Sequence, residues 1–185
     1  AYCIAIGTDS QKAATTGGNN ISAGFETLYT NIAGVGNVAI GHQALKLSTV
    51  SYNTAIGFNA CLSLTTGINN VAIGAYALDA GTSAKETVAI GYGALSGAIG
   101  GVRNVAVGFN AGLVNNGSNS VFIGYTAGDA CTANDTTLVG AYAGTALTSA
   151  TGCTALGNGA LQNATTANNN TAIGHHSVRG ICGAD

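Results

Sequence analysis

Hydrophobic and polar positions alternate in short bursts along this chain, and the bursts return at a fixed interval. Residues 37–78 contain Asn-Val-Ala-Ile-Gly, Asn-Thr-Ala-Ile-Gly and Asn-Val-Ala-Ile-Gly in succession. The glycine closing each phrase serves as an anchor: Gly7, Gly24, Gly41, Gly57, Gly74, Gly91, Gly108, Gly124, Gly140, Gly157 and Gly174, always 16 or 17 residues apart. Three positions before the anchor every residue is β-branched, from Ile4 to Thr171. Directly before it stands Ile, Val or Leu, with Ala23 the exception, and between these two columns runs a row of mostly Ala. Alternation with period two and β-branched side chains predict a strand in each phrase. A second Ala row three positions after the anchor (Ala44, Ala60, Ala77) predicts a second short strand, beyond a bend at the anchor glycine. The remaining Thr, Asn, Gly and Ser are the residues of turns.

A repeat of this length is too short for the common helical arrays. It predicts an all-β, parallel β-solenoid of eleven 16–17-residue coils forming one domain over 1–185. Coils stacked at ~4.8 Å make a rod of about 48 Å. The larger face of each strand is expected inside: Val38, Ile40, Ile56, Val71, Ile73, Val88, Ile90, Val105, Val107, Val121 and Ile123 form the expected core. The stripe Ala39, Ala55, Ala72, Ala89 and Ala106 is then expected outside, packed against sister chains, with Phe122 and Leu138 filling a wider axial space between them. The terminal coils look like interior ones, which implies a segment of a longer fibre or end-to-end stacking.

Charge sharpens the register. Only 6% of residues are charged, and none lies between four positions before an anchor and one after it. Lys and Arg total five without clustering, so a nucleic-acid partner is not expected. No apolar run is long enough to span a bilayer as a helix, so membrane insertion is not expected either. Cys3, Cys61, Cys131, Cys153 and Cys182 show no metal-ligand spacing, and no two share phase on adjacent coils, so no intrachain disulfide is expected.

The phrase resembles the head repeats of trimeric autotransporter adhesins of the YadA type, which read Asn-Ser-Val-Ala-Ile-Gly, two free positions, then Ser. Asn119-Ser120-Val121-Phe122-Ile123-Gly124 and Asn37-Val38-Ala39-Ile40-Gly41 carry the likeness. Similar Ala-Ile-Gly repeats occur in phage and large-virus tail fibres. The resemblance implies a left-handed β-roll, a trimeric assembly, an extracellular or virion-surface location and an adhesive role. The partner would be a host-cell surface glycan or protein. Coils in that family are usually shorter, and the extra residues here fall in the turn after the expected second strand.

Catalysis requires converging titratable groups, whereas the carboxylates are scattered along the rod. Neither an enzyme nor a cofactor is expected. Asp9 and Glu26 occupy one phase on adjacent coils and are the best candidate for a cation or sugar site, although a solvated polar column continuing through Gln43 and Asn59 accounts for them as well. In a trimer, three copies of His175 would ring an axial metal if that position faced inward. A monomeric ice- or ligand-binding solenoid is the alternative from another class. Thr54, Thr137, Thr154 and Thr171 are the only threonines in the β-branched column.

Overall fold

The computed structural model describes residues 2–166 and 168–178. Eleven three-residue strands form: β1 (Ile4–Ile6), β2 (Ile21–Ala23), β3 (Val38–Ile40), β4 (Thr54–Ile56), β5 (Val71–Ile73), β6 (Val88–Ile90), β7 (Val105–Val107), β8 (Val121–Ile123), β9 (Thr137–Val139), β10 (Thr154–Leu156) and β11 (Thr171–Ile173). They make one parallel sheet in chain order. Each phrase pairs with the next column for column, as in Val71↔Val88, Ala72↔Ala89 and Ile73↔Ile90. Where the interval shortens to 16, the register still holds, with Ile40 opposite Ile56. The turns absorb the missing residue. The fold is a β-solenoid, and among the described residues it contains no helix.

The expected second strand does not form. Two and four positions after the anchor the backbone is left-handed, as at Asn59 (φ 56°) and Cys61 (φ 51°). Left-handed residues at every other position curl the chain instead of extending it. The laps still bond to each other here: the Asn59 amide donates to the His42 carbonyl at 2.9 Å and the Cys61 amide to the Ala77 carbonyl at 3.0 Å.

The sheet is also turned the other way round from the expectation. Ala39, Ala55, Ala72, Ala89, Ala106, Phe122 and Leu138 are all fully buried inside the single chain, so they are core and not an interface. Val38, Ile40, Ile56, Val71, Ile73, Val88, Ile90, Val105, Val107, Val121 and Ile123 face outward, half-buried or exposed. The cause is space. The curled segment sends leucines such as Leu45, Leu78 and Leu95 into the lumen, where they are buried against the strand. A lap this short has room for a leucine and an alanine at each level, and interiors tolerate little misfit.

Two coils obey the same volume rule by an exchange. Coil eight has Phe122 and coil nine Leu138 where the other coils have Ala or, in coil two, Ser22, and the position of the inward leucine is glycine at Gly112, Gly128 and Gly144. A Cβ added to Gly128 would stand 2.5 Å from Phe122 Cδ1 and 2.8 Å from Leu138 Cδ1. A Cβ on Gly112 would lie 2.6 Å from Phe122 Cδ2. The large side chain has moved from the turn to the strand, and the lumen stays full.

One corner of the tube is lined by buried asparagines, one position before the strand. The Asn37 amide donates to Asn20 Oδ1 at 2.8 Å, the Asn53 amide to Asn37 Oδ1 at 3.0 Å and the Asn70 amide to Asn53 Oδ1 at 3.0 Å. Each Nδ2 also donates to a backbone carbonyl: Asn20 to Gly34 (2.8 Å), Asn37 to Val50 (2.8 Å), Asn70 to Ala84 (2.7 Å). These carbonyls lie on the following lap, and Asn37 and Asn70 also donate an Nδ2 proton back to the Oδ1 of the preceding asparagine. Thr87, Ser120 and Thr136 continue the column with hydroxyls in place of amides. Buried backbone groups at the corner are thereby satisfied without an extended strand.

The anchor glycines close the phrase. Gly74 has φ +132°, and a Cβ there would stand 2.5 Å from the Gly91 carbonyl oxygen. Only glycine lets consecutive laps approach this closely at that conformation.

Candidate interaction surface

With alanine inside, the outward side of the sheet becomes the surface of interest. Two columns of Val, Ile and Thr run the length of the rod, and the exclusion of charge applies to this exposed face. Ile73 retains 37% of its exposure and Ile40 39%, while Ala72 between two outward neighbours has none. Solvent alone does not require a charge-free apolar strip of this regularity. At the last three strands the first column changes to Thr137, Thr154 and Thr171, paired in register.

Beside this face, just past the anchor glycines, runs a ladder of aromatic rings. Phe25, His42, Phe58, Tyr76, Tyr92, Phe109, Tyr125 and Tyr142 contribute one ring from each of eight consecutive coils. Neighbouring centroids are 4.9 to 5.6 Å apart. Phe25–His42–Phe58 and Tyr92–Phe109–Tyr125 stack face to face, with the latter planes inclined by 8° and 11°. Tyr76 and Tyr142 break the stack, standing at 64° to Phe58 and 66° to Tyr125. Both belong to the tetrapeptide Gly-Ala-Tyr-Ala, in which Ala takes the ring position and Tyr reaches across from the next one. Stacking occupies the faces of most rings and leaves edges toward solvent.

Asp9 and Glu26 each have a cation of their own. Lys12 Nζ lies 3.2 Å from Asp9, and Lys46 Nζ 2.7 Å from Glu26. Gln43 Nε2 donates to Glu26 Oε2 at 2.7 Å, so the polar column is bonded to itself. Hydrogen bonds from Lys46 and Gln43 hold the Glu26 carboxyl below its usual range. Lys12 and Lys46 also flank the Tyr29 ring, 5.3 and 5.9 Å from its centroid. His175 is exposed and its ring lies 4.0 Å from that of His176. Among the described residues, no three His, Cys, Asp or Glu converge as metal ligands.

Cys3, Cys61 and Cys131 are free thiols, Cys3 exposed and the other two buried, and Cys153 is buried as well. Cys182 lies outside the described residues. Burial, with a smaller contribution from the Asp79 carboxylate, pushes the Cys61 thiol up to about 12. Its thiolate is therefore scarce at neutral pH. Iodoacetamide at pH 8 is expected to label Cys3 and spare Cys61, Cys131 and Cys153 until denaturant is added; peptide mapping reads the result. Labelling of native Cys61 would show that the lumen opens.

Family models, curated proteins and solved structures yield no match to this chain. Its own geometry carries the functional reading.

Proposed function

We propose that this chain is a length of an extracellular or virion-surface fibre, a mechanical and adhesive rod without catalytic activity. Three copies pack through their outward strand faces, and the roll is left-handed as in the adhesin repeats it resembles. Exposed turns on the opposite side are free to meet a host-cell surface glycan or protein.

The charge-free column of Val and Ile on the outside of the sheet is the observation that carries this reading. A partner that covers it along the whole rod must repeat at the coil spacing of ~4.8 Å. A second copy of the chain has that period. Burying each half-exposed isoleucine also removes further apolar area from water, at about 25 cal/mol per Å².

Sedimentation tests it. The chain is expected to sediment as a trimer. Ile73→Asp with Ile90→Asp should yield a monomer with unchanged β-sheet circular dichroism, because both side chains point away from the lumen. A wild-type monomer at micromolar concentration would sink the fibre reading and favour a solenoid that binds ice or a ligand on its own.

A further inference from the structure

We propose that the aromatic ladder carries two oxidative cross-linking sites, Tyr125–Tyr142 and Tyr76–Tyr92, at which neighbouring laps can be welded by a carbon–carbon bond between tyrosine rings. The inference concerns the single chain and does not depend on how copies assemble.

Both pairs join rings of consecutive coils. Tyr125 and Tyr142 have centroids 5.3 Å apart at 66°, and Tyr76 and Tyr92 5.6 Å apart at 71°. These inclinations bring the edge of one ring over its partner, and the reactive ortho carbons lie on ring edges. Exposure allows oxidation: Tyr125 keeps 48%, Tyr142 43% and Tyr92 51% of its surface. Phe109 stands between the pairs, stacked on Tyr92 and Tyr125, and a phenyl ring without a hydroxyl does not couple.

The co-reactant is a peroxide used by a haem peroxidase, or an equivalent one-electron oxidant. Each phenol gives up one electron and its hydroxyl proton, leaving a phenoxyl radical. Hydrogen peroxide takes the two electrons and two protons and becomes two waters. The radicals join at their ortho carbons, and each ortho hydrogen moves to its own oxygen, restoring both phenols. Two tyrosines and one peroxide thus give one biphenol and two waters.

Geometry makes the outcome selective. Tyr2 and Tyr52 are among the most exposed tyrosines, at 89% and 61%, yet neither contacts another ring of this ladder. The test treats the dilute full chain with hydrogen peroxide and a haem peroxidase, then maps cross-linked peptides by mass spectrometry. The expected products join Tyr125 to Tyr142 and Tyr76 to Tyr92 within one chain, with dityrosine fluorescence appearing in step. Tyr142→Phe preserves the ring contact and should delete the first product while leaving the second. Coupling confined to Tyr2 or Tyr52, coupling only between chains, or no product at either pair would each overturn the proposal.

Discussion

Ala72→Asp is expected to unfold the rod and not merely to separate its copies. Ala72 is fully buried, stacked in the lumen between Ala55 and Ala89. A carboxylate placed there meets alanines and leucines and no cation. The effective penalty is several kcal/mol per ion, against a total stability of about 5–15 kcal/mol for an ordinary domain. Loss of β-sheet circular dichroism and of soluble yield is the expected readout. Asp in place of the exposed turn residue Ser83 is expected to change stability by no more than about 0.5 kcal/mol. An Ala72→Asp variant that kept its sheet and only lost mass in sedimentation would return the alanine stripe to the outside.

Phe122→Ala should be the costliest loss of apolar volume, and the chain itself suggests the remedy. Phe122 is the largest fully buried side chain. Truncation should cost about 3–5 kcal/mol, or roughly 6–20 °C in Tm at about 2–4 °C per kcal/mol for a chain of this size. Phe122→Ala with Gly128→Leu rebuilds coil eight in the pattern of Ala39 with Leu45 and Ala72 with Leu78, and should recover a good part of that loss. The backbone permits it: Gly128 has φ 60°, and leucines at the same phase hold 52° at Leu45 and Leu78. Gly128→Leu alone should destabilise, since its side chain would meet the Phe122 ring. Additive losses in the double variant would show that the two positions do not share one volume.

The period of the phrase made the stacking legible from sequence. Fixed spacing and a constant β-branched column lead directly to eleven parallel strands in register. Which side of the strand lies inside was not legible from alternation, because both faces are apolar and both exclude charge. The usual contrast of apolar with polar is missing, and size alone decides. The deciding signal lay outside the strand: where Ala gives way to Phe122 and Leu138, leucine gives way to Gly128 and Gly144. Such an exchange makes sense only if both positions fill one space. The second strand failed because a row of alanines does not reveal the left-handed residues flanking it. The aromatic ladder is masked in the sequence because Tyr76 and Tyr142 enter it one position late, which breaks the column. The asparagine of the phrase looked like turn chemistry, while its side chain is a buried backbone substitute.

Those asparagines make the two ends of the rod chemically unlike. Each accepts a backbone amide from the lap that follows it and donates to a carbonyl there, while Asn37 and Asn70 also donate back to the asparagine before them. A finished lap is therefore a template for its successor, whereas a lap with nothing before it finds no such guide. Synthesis delivers the laps in this same order, at about 5–20 residues per second. A new lap thus leaves the ribosome roughly every one to three seconds. Each arrives to find hydrogen-bonding partners already in place on the lap before it, so the order of synthesis suits the order of stacking.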